Sequence, residues 1–144
     1  MNLAHWLARR AAVTPDWPAL FNGREMVADY GAFDARARAV AAWVQAQGVA
    51  PGDRVGIFMK NVPEYLIVFY GIWMAGGAVV PINAKLHPRE ATFIVKDSGC
   101  SLLFVATDNS FDDQELPNGC NVQTLSAIDE QAQNTPPLLS PESR

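Results

Sequence analysis

The sequence predicts an α/β fold built on a mainly parallel sheet with flanking helices. Between Phe21 and Ala106, short apolar runs alternate with longer segments of helical pattern, the order expected of βαβ units. The runs Val55–Met59 and Leu102–Ala106 carry no charged residue, which is typical of strands buried on both faces of a parallel sheet. At 144 residues and 49% hydrophobic content, the chain is large enough to bury a core.

The N-terminal segment predicts a helix and then a hairpin. Asn2 is placed to cap a helix that ends near Val13, and apolar residues form one stripe along it. The lack of acids before Asp16 is also compatible with a transit peptide, and we favour the structural helix. Two apolar runs flank Asn22-Gly23, a dipeptide typical of a hairpin turn.

A second helix is predicted from Tyr30 to Gln47. Asp29 precedes it as an N-cap, and Gly48 follows it as a C-terminal stop. The sequence Pro51-Gly52-Asp53 then indicates a turn into the strand at 55–59.

The stretch Tyr65–Ile82 contains 18 residues without a charge, which is close to the length of a membrane span. Gly76-Gly77 and Pro81 interrupt it, however. We therefore predict a helix over Pro63–Ala75 that is buried on nearly all sides, a glycine stop, and a strand over Ala78–Pro81.

The remaining elements continue the alternation and then give way to an acidic segment. Pro88 opens a helix that runs to about Asp97, and a strand follows at 102–106. A further strand is predicted over Val122–Leu125 and a short helix over Ala127–Gln133. We assign residues 1–134 to the folded portion and residues 135–144 to a proline-bearing, linker-like tail.

Composition excludes several classes of protein. A net charge of −4 gives no electrostatic basis for nucleic-acid binding. Two cysteines, Cys100 and Cys120, cannot build a disulfide framework, and their spacing does not suit zinc. We expect two ordinary thiols in a cytoplasmic protein.

No catalytic constellation can be assembled from the residues. Phosphate-loop, dinucleotide and hydrolase-elbow motifs are absent from the sequence. His87 is expected to cap a helix, and His5 to be solvated or to take part in docking. The acidic group Asp112, Asp113 and Glu115 is expected to be a solvated loop. We therefore assign no catalytic residue and no metal ligand, and we leave substrate-binding residues unassigned.

The stretch Pro51–Glu90, PGDRVGIFMKNVPEYLIVFYGIWMAGGAVVPINAKLHPRE, resembles the N-terminal region of AMP-forming adenylating enzymes. The acyl-CoA synthetases, or fatty-acid–CoA ligases, are the most similar branch. The similarity extends over about residues 1–135, with Asp29 where the family usually has serine or threonine.

The resemblance implies a two-step reaction for the full-length enzyme. A carboxylic acid, a fatty acid by the resemblance, attacks the α-phosphate of ATP, and the thiol of CoA then displaces AMP. The phosphate-binding loop with its lysine, the Mg²⁺-binding acid and the catalytic lysine lie beyond this segment in the family. The chain alone is thus expected to bind none of ATP, Mg²⁺ or CoA, and to be inactive and prone to self-association.

The alternative from a different class is a free-standing α/β binding or interaction module. The nucleotide sequence after the codon for Arg144 distinguishes the two. A continuing frame into a loop rich in serine, threonine and glycine and ending in lysine favours the ligase.

Overall fold

The computed structural model describes residues 4–106, 116 and 119–134. Helices and strands alternate along these residues after an N-terminal helix and hairpin. In chain order the elements are α1 His5–Val13, β1 Pro18–Asn22, β2 Glu25–Asp29, α2 Tyr30–Ala46, β3 Arg54–Phe58, α3 Pro63–Met74, β4 Ala78–Pro81, α4 Pro88–Ser98, β5 Leu102–Val105, β6 Asn121–Gln123 and α5 Leu125–Asn134.

Four strands form a parallel sheet in the order β4-β3-β5-β6, so the predicted α/β fold is confirmed. The hairpin at Asn22-Gly23 is also confirmed, with Gly23 at φ +64° in the turn. Strands β1 and β2 form their own two-stranded antiparallel sheet.

The side chains of β3 and β5 alternate between two cores on opposite faces of the parallel sheet. Val55, Ile57 and Phe104 join the larger core with α1, α2, α3, α5 and the hairpin. Phe58 and Leu103 join the smaller core, which includes α4. This period-two alternation on a sheet covered on both sides explains why the runs Val55–Met59 and Leu102–Ala106 lack charged residues.

The predicted cap of α2 is confirmed, and that of α1 differs. Asp29 Oδ1 accepts a hydrogen bond from the backbone N–H of Ala32 at 2.8 Å. In α1 the N-cap position is Ala4, with no side-chain capping hydrogen bond, so the helix begins later than predicted. Asn2 lies outside the described residues.

The apolar stretch at 65–82 divides as predicted into helix, glycine stop and strand. Gly76 adopts φ +87°, and a Cβ on Gly77 would lie 2.9 Å from Ile72 Cγ2, so both glycines are required locally. Among the described residues, no helix is long and apolar enough to cross a membrane.

The expectation that α3 is buried on nearly all sides is wrong. Ile67, Val68 and Ile72 are fully buried, whereas Leu66 is 43% exposed. The half-buried aromatic residues of α3 contact one another along the helix, with Phe69 and Trp73 ring centroids 4.6 Å apart. The reason is that α2 and the sheet cover one side of α3 only.

The last two elements begin one to two residues earlier than predicted. Strand β6 pairs with β5 through Leu102 and Asn121. Thr124 Oγ1 accepts a hydrogen bond from Ala127 N–H at 3.3 Å and so caps α5. An ion pair of 2.8 Å between Arg36 and Asp129 connects α5 to α2. The acidic group at 112–115 and the tail at 135–144 lie outside the described residues.

Candidate functional site: the carboxyl edge of the parallel sheet

The connections between successive strands change direction across the sheet at β3. The connection from β3 leads to β4 on one side, and the next strand, β5, pairs on the other side of β3. In open parallel sheets, ligands bind outside the carboxyl ends of strands at such a switch point. The switch point lies between β3 and β5, because the connection after β3 leads to β4 and the connection after β5 leads to β6 on the opposite side. The carboxyl ends of β3 and β4 border this point, and a concave surface forms there.

A pocket of about 600 Å³ lies at this edge. Its walls are the segments that leave the two strands, together with a tyrosine of α3. The lining residues are Met59, Lys60, Asn61, Tyr65, Pro81, Ile82, Asn83, Ala84 and Lys85. We call it the edge pocket.

The segment after β4 is shaped by an asparagine turn. The buried Ile82 continues the sheet pairing, with its N–H donating to Ile57 O at 2.9 Å. Asn83 Oδ1 accepts from Lys85 N–H at 2.9 Å, and Asn83 O accepts from Leu86 N–H at 3.0 Å. This Asx turn presents the exposed Lys85 at the pocket.

The segment after β3 turns directly into α3. Val62 occupies the N-cap position without a side-chain hydrogen bond, and Pro63 provides the first helical turn. Tyr65, one turn into the helix, lines the edge pocket, and burial raises the pKa of its phenol. At neutral pH Tyr65 is therefore a neutral hydroxyl that can donate a hydrogen bond.

A second groove of about 590 Å³ adjoins the edge pocket and shares Asn61 and Tyr65 with it. Its other wall is the hairpin, from Ala19 to Gly23. The hairpin and the start of α3 thus extend the concave surface beyond the sheet edge.

The polar side chains that line the edge pocket are cations and hydrogen-bonding groups. The pocket combines two lysines, two asparagines and a tyrosine, which suits hydrogen bonding to an anionic or polar group. Among the described residues, no group of three His, Cys, Asp or Glu side chains could hold a metal ion.

The residues considered from sequence lie apart from this pocket. His87 caps α4 as predicted, since its Nδ1 accepts from Arg89 N–H at 3.1 Å. His5 is exposed on α1. Cys100 is buried in the smaller core, and burial raises the pKa of both cysteine thiols, that of Cys120 to about 11.

Sequence reasoning gave Lys60 and Lys85 no role. The signal that would have found them is positional. Lys60 follows the end of β3 by two residues and Lys85 follows the end of β4 by four, at the carboxyl edge where parallel strands bind ligands. Asn61 and Asn83 share that position.

Comparison with known proteins agrees with this architecture. The chain is 35% identical over 103 residues to the long-chain-fatty-acid–CoA ligase FadD13 of Mycobacterium tuberculosis, covering 71% of this chain and 20% of the ligase. It is 30% identical over 138 residues to a feruloyl-CoA synthase of Amycolatopsis, covering 96% of this chain and 28% of that protein. The chain thus spans between a fifth and three tenths of the length of these relatives.

A solved structure gives the same result in three dimensions. The fatty acyl CoA synthetase of Mycobacterium tuberculosis superposes with a TM-score of 0.77 and 26% identity, covering 93% of this chain and 28% of that chain. The AMP-binding enzyme family matches residues 7–142. The chain therefore belongs to the AMP-binding enzyme family and corresponds to the N-terminal region of its adenylate-forming members.

Proposed function

We propose that this chain is the N-terminal part of an AMP-forming acyl-CoA ligase. In the full-length enzyme, a carboxylate oxygen attacks the α-phosphate of ATP, which releases pyrophosphate and leaves an acyl-adenylate. The thiol of CoA then attacks the acyl carbon, which releases AMP and leaves a thioester. The family match over residues 7–142 carries this proposal, and the two CoA-ligase relatives support it.

The contribution proposed for this segment is structural and binding, not catalytic. ATP and CoA are polyanions, and Lys60 and Lys85 place two cations at the edge pocket. We assign Mg²⁺, ATP and CoA to the full-length enzyme and no catalytic residue to this chain. Residues 1–134 form the folded portion in this proposal, and 135–144 the connection onward.

The acid substrate is proposed to be a fatty acid, because FadD13 is named for long-chain fatty acids. The feruloyl-CoA synthase match makes an aromatic acid the second substrate to test. A cytoplasmic location is proposed, since both cysteines are free thiols.

A chimera tests the proposal. Residues 7–106 of this chain replace the aligned segment of FadD13, and acyl-CoA formation is measured with ATP, Mg²⁺, CoA and palmitate. We expect ATP-dependent thioester formation, because this segment supplies the same fold and sheet edge. FadD13 carrying the same junctions and its own segment is the matched control.

Two further measurements sharpen the test. Lys60→Gln/Lys85→Gln in the chimera should raise KM for ATP or CoA, whereas Lys96→Gln on α4 should change neither KM.

The purified 144-residue chain should release no pyrophosphate above background. A folded chimera without thioester formation would contradict the ligase proposal, and pyrophosphate release by the chain alone would contradict its inactivity.

A further inference from the structure

Five side chains of α4 are exposed, and all of them lie on one face of the helix. They are Arg89, Glu90, Phe93, Lys96 and Asp97. Their spacing of i, i+1, i+4, i+7 and i+8 follows the helical repeat, so they form one continuous stripe. Phe93 stands at the centre of the stripe and is 68% exposed. We call these five residues the α4 stripe.

The opposite face of α4 attaches the helix to the parallel sheet. Ala91 and Val95 are fully buried there, in the smaller core. The α4 stripe takes no part in that core. Its composition is therefore not set by the packing of α4 against the sheet.

The stability of the helix itself does not explain the charges of the α4 stripe. The helix dipole favours acids in the first turn and bases in the last turn, and Glu90 and Lys96 follow this rule. Arg89 in the first turn and Asp97 in the last turn carry the opposite signs. Within the part of the chain that the structure describes, none of these four side chains forms an ion pair.

The charges are instead arranged with opposite sign on the two sides of Phe93. Arg89 and Asp97 each lie four residues from Phe93, and Glu90 and Lys96 each lie three residues from it. If two copies of α4 pack antiparallel about a twofold axis at Phe93, each base meets an acid. Arg89 then meets Asp97 of the second copy, and Glu90 meets Lys96 of the second copy. A parallel pair would place each charge against its own copy.

We propose that two copies of this chain associate through the α4 stripe as an antiparallel pair of helices related by a twofold axis. Phe93 and its counterpart form the apolar centre, and the ion pairs set the direction of the helices. The stripe contains two bases and two acids, so it complements its own copy better than a partner of one charge sign. The inference does not depend on the ligase assignment.

The size of the surface makes this association weak. Helix α4 has only 11 residues, and a standard interface buries about 800 Å² on each partner. We therefore expect a dimer that forms at high protein concentration and that salt weakens, since its ion pairs lie at the rim of a small contact.

Charge reversal in the 144-residue chain, followed by sedimentation velocity over a range of concentrations at low salt, tests the proposal. Arg89→Glu and Asp97→Arg each bring like charges together, and the twofold axis repeats the contact. Each variant should raise the dissociation constant by about tenfold. Arg89→Glu/Asp97→Arg in one chain restores opposite charges and should recover the association of the parent.

Mixing the two single variants gives the sharpest measurement. A heterodimer of Arg89→Glu with Asp97→Arg has opposite charges at both ends, whereas each homodimer has like charges. The mixture should therefore associate more strongly than either variant alone. Both substitutions agree in sign with the helix dipole, so the melting temperature of each variant should not fall.

Arg24→Glu is the matched control, because it reverses an exposed arginine in the hairpin turn. It should leave the dissociation constant unchanged. Three results would overturn the proposal: a parent chain that stays monomeric, a mixture that associates no better than its components, or a loss in Arg24→Glu equal to that in Arg89→Glu. The second result would assign the association to another surface of the chain.

Discussion

Gly71 of α3 lies directly against Val40 of α2, so that a Cβ on Gly71 would come within 2.5 Å of the Val40 side chain. The same Cβ would lie 2.8 Å from the backbone oxygen of Ala37, which cannot rotate away. This contact lets the two helices approach closely at the centre of the larger core.

Gly71→Ala is expected to destabilise the protein. Alanine gains up to about 1 kcal/mol of helix propensity over glycine, but overpacking at a rigid contact costs about 1–3 kcal/mol. We expect a net loss in the free energy of unfolding, measured by urea denaturation. Val40→Gly removes both Val40 atoms that the new Cβ would meet, so the loss in Gly71→Ala/Val40→Gly should be smaller than the sum of the two single losses. Full additivity of the two losses would contradict the proposed contact.

Removing only the partner of the buried Asp34 carboxylate is expected to cost more stability than removing both members of the pair. Asp34 Oδ2 accepts from Arg38 Nε at 2.7 Å, and Oδ1 has no hydrogen-bond partner among the described residues. Arg38→Ala leaves a carboxylate uncompensated and should cost about 1–3 kcal/mol. Arg38→Ala/Asp34→Ala should be more stable than Arg38→Ala alone, because it removes the orphaned acceptor.

The cysteines are expected to be slow nucleophiles at neutral pH. Burial raises the pKa of Cys120 from 9.0 to about 11, so the thiolate is scarce below that pH. Alkylation by iodoacetamide in the folded protein should rise steeply between pH 9 and 11. Rapid labelling of Cys120 at pH 7.5, at the rate of an unfolded control, would contradict this.

The same shift predicts a loss of stability in alkali. A thiol whose pKa is raised by folding favours the folded state below pH 9, and that contribution declines as pH rises toward 11. The free energy of unfolding should therefore fall over this window. Cys120→Ala should flatten the fall, and an unchanged slope would exclude this thiol as its cause.

Exposed apolar surface is expected to make the isolated chain self-associate. Phe93 on α4 is 68% exposed, and Leu66 on α3 is 43% exposed. Phe93→Ser should reduce self-association in analytical ultracentrifugation without lowering the melting temperature. Val95→Ser, two residues away and fully buried, should cost at least about 2 kcal/mol. A parent chain that sediments as a monomer at all concentrations would contradict the expectation.

Local chemistry made most element boundaries predictable. Asp29 and His87 cap helices, and Gly76 and Gly99 end them at positive φ, all through interactions between near neighbours in sequence. Signals that depend only on near neighbours can be read from a single sequence. The start of α1 was misplaced because its cap position, Ala4, offers no side-chain acceptor.

The edge pocket was not predictable to the same degree. Its two lysines follow β3 and β4, which are 20 residues apart in sequence. They line one pocket only because those two strands pair. The sequence predicted exposed apolar surface in the chain alone, but not that Leu66 of α3 would carry it, since an apolar helix does not reveal which of its faces a neighbour covers.

The sequence by itself determined the fold class, the order of the elements and the family. Hydrophobic period, turn residues and the motif order in Pro51–Glu90 belong to short segments or to their order along the chain. They are therefore present before the chain folds. Only the tertiary structure decided which strand ends share a pocket, which face of α3 meets α2 and which residues of α1 remain outside the core. Those outcomes depend on strand pairing and close packing between segments distant in sequence, and no local pattern specifies them.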